Sequence, residues 1–477
     1  MRFALDSAAG RLTPAERAER GKAARAAAPR DRHAVYDPPA DRPDPVRLLE
    51  GQAATRLPDL VPVRYDRMLA SPFSYFRGAA LPMAADLAAT PVSGLAVQAC
   101  GDAHLSNFGV YASPERALVF DLNDFDETLP GPWEWDVKRL AASLEVAGRG
   151  NGYRRTQRRQ IVIAAVRRYR EAMRGFAGQA SLAVWYARAD ITDLRRQFGS
   201  QLTAREQERA DRDMTKARSR DSIQALSQLT CQVDGRPRIV PDPPLVVPLA
   251  DLIPGQADQA RLQAEVTNLI AGYRRTLQTD RRYLLEQFEF ADMARKVVGV
   301  GSVGTRCWIV LMLGRDGSDP LFLQAKEAER SVLEEFAGTS EYANHGQRVV
   351  AGQRLMQAAS DIFLGWQRSQ ADPDGTRHDY YIRQLRDQKL SADVEAMTPA
   401  AMRVYGELCG WTLARAHARS GDRIAIAAYL GRSAVFDEAI AEFAAAYADQ
   451  NERDYQALAA AVASGRVASE PDTRGPC

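Results

Sequence analysis

Residues 100–109 read CGDAHLSNFG and residues 117–127 read ALVFDLNDFDE. The apolar run LAVQAC at 95–100 precedes the first stretch, so the segment reads as strand, loop, strand. Gly, Asp and Asn are turn formers, and a plain turn between two strands is one account of them. The second strand adds a demand that a turn does not meet. Asp121, Asp124, Asp126 and Glu127 crowd the end of an apolar run, where four carboxylates repel one another. A divalent cation relieves that repulsion.

Working outward, residues 1–60 are rich in Ala, Arg and Pro, and YDPPADRPDP reads as an extended connector. SPFSYFRGAA leads into a helix, LPMAADLA, and a further helix covers 137–148. Apolar residues three and four apart, as in IVIAAVRRYREAM, predict helices from about 150 to 230. CQVDGRPRIV reads as a hairpin through its Asp-Gly, and helix resumes over about 258–292. The period then switches to strand in VVGVGSVGTRCWIVLML, with RDGSDP as a turn and LFLQAKEA as the next strand. Helix returns at 346–366, DYYIRQL is a strand, and 398–463 is helical and Ala-rich, before a tail that frays. The pattern predicts an α+β fold in four parts: an extension (1–60), a helical part with the acidic loops (61–292), a β-rich part (293–390) and closing helices (391–477).

Gly299, Gly301 and Gly304 form GxGxxG. A dinucleotide fold needs a helix directly after such glycines, but a strand follows here. No GKS or GKT follows either, which excludes a P-loop. A strand–glycine–strand hairpin, with Ser302 inside it, is the form that covers ATP phosphates in kinases. Lys326 lies 22 residues after Gly304 in an apolar strand, one of only six lysines. It is either an edge-strand lysine facing solvent or the partner of buried anions.

Asp102 and Asn107 have four residues between them, and Asp124 lies 22 beyond Asp102. Phosphoryl transfer of the kinase type uses an Asp to orient or deprotonate a hydroxyl, an Asn five positions on for magnesium, and a second metal carboxylate. The run GDAHLSNFG…VFDLNDFDETLPGPWEWDVKRLA resembles the catalytic core of aminoglycoside and choline phosphotransferases, with their HGDxHxxN and DFD-type motifs. The resemblance implies that Asp102 is catalytic and that Asn107 and Asp124 hold magnesium. His104 matches the pattern, Asp126 belongs to the DFD-type motif, and Asp136 in WEWD braces the loop. Cys100 stands where that family usually has His. ELCGWTLARAHARSGD resembles the helix beneath the catalytic loop, and DYYIRQL resembles the strand and hinge that hold adenine, at Gln384 and Leu385. Glu334 and Glu335 are candidates for the helix carboxylate that pairs Lys326.

These parts occur once each, but the catalytic loop precedes the glycine hairpin, so the resemblance implies a circularly permuted two-lobed kinase-like fold. The landmarks RYDRMLASPFSYFRG, CGDAHLSNFG, FDLNDFDETLPGPWEWDVKRL, RVVAGQRLMQAASDIFLGW and YADQNERDY, over about residues 45–460, identify the chain as a member of the bacterial domain of unknown function 2252 family. The function implied is an ATP- and magnesium-dependent phosphotransferase acting on a hydroxyl- or amino-bearing small molecule or protein. A nucleotide-binding pseudokinase that regulates a partner, or transfer of AMP on the same fold, are the alternatives.

Composition bounds the rest. The 477 residues carry a net charge of +2, against a strongly basic nucleic-acid binder. Nine arginines fall within 149–174, and a solvated helix face accounts for them. No apolar run reaches membrane-spanning length, and the N-terminus lacks a signal-peptide core. Five scattered cysteines form no disulfide framework, so a reducing cytoplasm is the expectation. Arg64, Arg67 and Arg77 cluster in VRYDRMLASPFSYFRG, where they either bind an acidic substrate or pair with carboxylates. Trp133 and Trp135 read as core, and His33, His345, His378 and His417 lack metal-ligand spacing.

Overall fold

The computed structural model describes residues 5, 12–201, 203–219, 222–233, 235–252, 266–297, 299–371, 375–385 and 388–471. The chain begins with helices α1 (Pro14–Ala27), α2 (Pro45–Ala53), α3 (Val61–Leu69), α4 (Pro72–Gly78) and α5 (Ala80–Ala88). Two of them start on sequence signals. Asp44 accepts the Val46 N–H at 2.9 Å ahead of α2, Ser71 accepts the Ser74 N–H at 3.0 Å ahead of α4, and Pro fills the first helical position in each. Then come strands β1 (Ala96–Ala99), β2 (Phe108–Ala112), β3 (Leu118–Leu122) and β4 (Leu129–Pro132), and helices α6 (Trp133–Gly150) and α7 (Arg155–Ala177). Short helices between 181 and 229 surround β5 (Ala189–Asp190).

The hairpin expected in CQVDGRPRIV is present as β6 (Thr230–Val233) and β7 (Arg236–Ile239). β8 (Val246–Pro248), β9 (Glu289–Lys296), β10 (Cys307–Leu313), β11 (Pro320–Glu327), β12 (Gly365–Arg368) and β13 (Asp379–Gln384) form one antiparallel sheet in the order β12-β13-β11-β10-β9-β8. β14 (Leu390–Ser391) joins β2, β3 and β5 in a second sheet, and β1 pairs with β4. Three helices close the chain: Pro399–Ser420, Arg423–Leu430 and Val435–Ala463.

This is an α+β fold. Its largest core lies among α6, α7 and the closing helices, around Trp133, Tyr169, Leu413 and Phe436. A separate core, with Met312, Leu321 and Leu323, lies on one face of the six-stranded sheet. Both tryptophans of WEW are buried, as the sequence suggests. Among the described residues no helix is long and apolar enough to cross a membrane.

Three boundaries differ from the sequence reading. α6 opens at Trp133, not 137. β4 pairs with β1 up to Pro132, and the helix starts there with Glu134 and Asp136 in its first turn, where its dipole favours them. The helical pattern of 258–292 ends early: β9 begins at Glu289, paired with β10 on one side and β8 on the other. Residues 253–265 of that stretch lie outside the described residues. The helix expected over 346–366 runs only from His345 to Met356. There the chain is drawn onto β3: the Ala358 N–H donates to Asp121 at 3.2 Å and the Gln357 side chain donates to the Leu122 carbonyl at 2.6 Å.

The first 60 residues pack against the end of the chain. Arg42 pairs with both Asp86 and Asp454. His33 is fully buried, with Nε2 2.7 Å from the Tyr429 hydroxyl, and burial holds its pKa down at about 3. A group whose folded pKa is depressed contributes stability above its unfolded pKa, near 6.5, and that contribution is lost as pH falls toward the folded value. We predict that the stability margin of wild type over His33→Gln, measured by urea denaturation, narrows by about 2 kcal/mol or more between pH 7 and pH 4. A pH-independent margin would contradict a neutral buried His33.

Candidate functional site

The loop from Cys100 to Asn107 joins β1 to β2 over the start of α6. Gly101 has φ +82°, and a Cβ there would meet the Glu127 carbonyl oxygen at 2.4 Å, so only glycine fits. Asp136, in the first turn of α6, accepts the N–H of Cys100 at 2.6 Å and of Gly101 at 2.9 Å. The buried His417 lies behind it, with Nε2 3.1 Å from the same carboxylate and Nδ1 2.9 Å from the Tyr169 hydroxyl. The loop thus hangs on one buried carboxylate.

Asp102 accepts from Arg139 Nε at 2.8 Å, one turn along α6 from Asp136. Burial raises its pKa to about 6, against the opposing pull of Arg139. Asn107 donates through Nδ2 to the Asp102 carbonyl at 2.8 Å, which ties the two ends of the loop together. His104 is buried and held neutral by desolvation and by Arg139 and Arg77. Its Nδ1 accepts the Ser106 N–H at 3.2 Å, which assigns the ring proton to Nε2, 3.7 Å from Asp102 Oδ2.

The β3–β4 loop carries Asp124, Asp126 and Glu127. Asp126 forms an ion pair with Lys326 of β11 and accepts the Tyr381 hydroxyl of β13 at 2.7 Å. Arg348 donates to the carbonyls of Asp126 and Thr128 at 2.8 and 2.7 Å. Burial pushes the Asp126 carboxyl up, but Lys326 and Tyr381 outweigh it and the carboxyl stays ionised. Lys326 Nζ is also 3.8 Å from Asp124 Oδ2. Desolvation disfavours its charge, yet the two aspartates hold it well above the ordinary lysine range. Burial lifts Glu127 to about 7, while a 2.7 Å hydrogen bond from the Val332 N–H opposes the rise.

The glycine loop between β9 and β10 closes the site. Gly299 and Gly304 have φ +60° and +91°, values that favour glycine. The loop is fastened to the N-terminal helices: the Leu57 N–H donates to the Gly304 carbonyl at 2.8 Å and Arg67 donates to the Gly299 carbonyl at 3.0 Å. The Ser302 hydroxyl lies 3.4 Å from Asp126 Oδ2. One cleft is lined by Asp102, Asn107 and Asp124 on one side and by Gly299, Gly301 and Ser302 on the other.

Gln384 and Leu385 stand apart from this cleft. They end β13, with the Gln384 N–H on Asp361 and the Leu385 N–H on the Phe322 carbonyl at 2.9 Å. Neither helix glutamate is the partner of Lys326. Glu334 accepts from Arg330 at 3.2 Å and from the Ser331 N–H at 3.3 Å, so Asp126 takes the place expected for a helix carboxylate. Lys326 is buried, not an edge-strand lysine in solvent.

Sequence reasoning missed Arg139, Arg348, Tyr381 and His417. Arg139 follows Asp136 at i+3 on a helix, a spacing that puts both on one face. His417 had no signal beyond its place in LARAHA. Among the described residues no three His, Cys, Asp or Glu side chains form a metal cluster. Magnesium does not require one: it takes one or two carboxylates plus phosphate and water oxygens. Asp124 and Asn107 Oδ1 are hard oxygen donors on one cleft, and Asn107 spends only its Nδ2 on the loop, so the residues present fit the ion.

A family model described as an uncharacterized protein conserved in bacteria (DUF2252) matches residues 56–461, and the chain belongs to that family. No curated protein and no solved structure matches it.

Removing the Asp136 carboxylate strips two charge-assisted hydrogen bonds from the loop, each worth about 1.5–3 kcal/mol. Asp136→Ala is expected to lose about 3–6 kcal/mol in denaturant unfolding and to speed hydrogen exchange across 98–107 more than across β10 and β11. Uniform exchange would mean that the loop is held by something else.

Proposed function

We propose that this DUF2252 member is an ATP- and magnesium-dependent phosphotransferase with a circularly permuted kinase-like fold. The observation that carries the reading is the meeting, in one cleft, of Asp102, Asn107 and Asp124 with a glycine hairpin about 175 residues further along the chain. A second observation supports the permutation. The helix that ends at Ser420 abuts β1: the Gln98 N–H donates to Ser420 Oγ at 3.1 Å, and a Cβ on Gly421 would meet the Ala96 carbonyl oxygen at 2.8 Å. In ordinary kinase order that helix leads into the catalytic strand, and here the two ends already touch.

Each residue then has a task. Asp102 takes or orients the acceptor proton, with a pKa near 6 suited to exchange near neutral pH. Arg139 fixes one of its oxygens and leaves the other to the substrate. Asn107 and Asp124 would hold magnesium, and Lys326, already charged and buried beside Asp124, would face the phosphates. The acceptor oxygen bonds to the terminal phosphorus of ATP as that phosphorus parts from its bridging oxygen, the hydroxyl proton passes to Asp102 and ADP leaves; magnesium held by Asn107 and Asp124 would supply charge neutralisation. Positioning and charge neutralisation supply the catalysis.

The absent helix glutamate favours a second reading, a nucleotide-binding regulator with little turnover. The two part on one experiment, ATP hydrolysis followed by release of phosphate. The phosphotransferase reading predicts slow magnesium-dependent hydrolysis by wild type that falls at least 100-fold in Asp102→Ala, while ATP affinity changes less than threefold. Hydrolysis undiminished in Asp102→Ala would remove Asp102 from the mechanism.

A further inference from the structure

We infer that the cleft contains an anion subsite built by Arg56, Arg64 and Arg77, and that the acceptor therefore carries a phosphate monoester beside its reacting hydroxyl. This rests on the phosphotransferase reading and adds the substrate class to it.

All three arginines line the cleft that Asp102 and the glycine loop share. Arg64 is 1% exposed and Arg56 9% exposed. Neither has a carboxylate within ion-pairing distance among the described residues, and their hydrogen bonds go only to neutral acceptors. Arg56 donates to the Val303 carbonyl; Arg64 donates to Gln52 Oε1 at 3.0 Å and to the Gly78 carbonyl at 3.3 Å. Buried nitrogens are left over: Nε of Arg56, Nε and Nη1 of Arg64, and Nε of Arg77 have no partner. Burial and the neighbouring Arg56 charge push Arg64 down to about 9.

Three of the four other buried arginines are ion-paired among the described residues, and Arg348, whose Nε is likewise unpartnered, is the exception. Arg139 pairs with Asp102, Arg170 with Asp437 and Arg415 with Asp121, and Arg348 donates to three carbonyls. A buried cation without a counter-ion is costly, and a planar fork of N–H donors is matched by phosphate oxygens. A phosphate group in the cleft would supply both the missing charge and the missing acceptors.

The location argues for the acceptor over the nucleotide. Lys326 on β11, Asp124 after β3 and Asn107 just before β2 already answer the charge of a nucleotide with its metal. Arg64 and Arg77 come from α3 and α4, and Arg56 from the bend after α2, where it also donates to the Val303 carbonyl of the glycine loop. Arg77 ends α4 and acts electrostatically on both Asp102 and His104. A phosphate held there would bring the hydroxyl of the same molecule to Asp102.

Calorimetric titration of the full chain with inorganic phosphate, in the presence of magnesium and saturating non-hydrolysable ATP analogue, tests this. Wild type should bind phosphate, and Arg77→Gln should weaken it at least tenfold while binding the analogue as wild type does. Arg64→Gln should do the same. Should that variant fail to fold, Arg56→Gln takes its place. Phosphate that does not bind beside the analogue, or binds Arg77→Gln equally well, overturns the subsite. Loss of the analogue together with phosphate in Arg77→Gln also overturns it, because the arginines would then hold the nucleotide. If wild type binds phosphate in an Arg77-dependent way but no analogue, the anion subsite stands and the phosphotransferase reading falls.

Discussion

Lys326 reaches from β11 to Asp126 on the β3–β4 loop, a contact between residues 200 apart in the chain. It joins the six-stranded sheet to the helical part of the molecule at the place where the cleft opens. Tyr381 donates to the second oxygen of Asp126 and Arg348 holds the loop's carbonyls, so three segments of the later chain converge on one short acidic turn. A buried charge pair is retained at a cost in desolvation, and removing one partner typically costs about 3–5 kcal/mol. The contact also keeps Asp124 beside a cation and on the cleft wall. The alignment of the glycine loop over the acidic turn depends on it, since Ser302 meets the same carboxylate.

The opposite wall depends on one turn of α6. Asp136 and Arg139 lie on the same helix face, one holding the backbone of the 100–107 loop and the other the carboxylate of Asp102. α6 is buried along most of its length, and its charges are answered by neighbours: Glu134 by the Ser93 N–H, Lys138 by Thr90, Glu145 by Arg158. Such a helix is held in place because its charged groups have fixed partners on neighbouring elements. That anchoring is what a loop needs if it is to place a proton acceptor to within a fraction of an ångström.

The elements that carry the site were legible because they combine strong local signals with chemistry. Turn residues between β-branched runs revealed β1 to β3, and glycines followed by a strand revealed β10, while half of β9 fell on residues read as helix. The phosphotransferase resemblance singled out Asp136 as a brace for the loop, and its carboxylate accepts the Cys100 and Gly101 N–H groups. What failed did so for tertiary reasons. The helix read through 366 ends at Met356 because Asp121 and the Leu122 carbonyl claim the next residues, a contact more than 230 positions away in sequence. Glu334 and Glu335 were the candidates for the partner of Lys326, yet the carboxylate that arrives is Asp126, 200 residues earlier in the chain. Arg64 and Arg77 stood out in sequence, but only the structure shows that neither has a carboxylate within ion-pairing distance among the described residues.

The account stands or falls on the cleft binding a nucleotide together with a metal. Thermal unfolding of the full chain with and without ATP and magnesium tests that directly. A ligand at 100 times its dissociation constant stabilises a fold by about 2.7 kcal/mol. The account predicts a rise of a few degrees that needs both ATP and magnesium and vanishes in Asp124→Ala. No rise with any nucleotide, or a rise that survives Asp124→Ala undiminished, would contradict it.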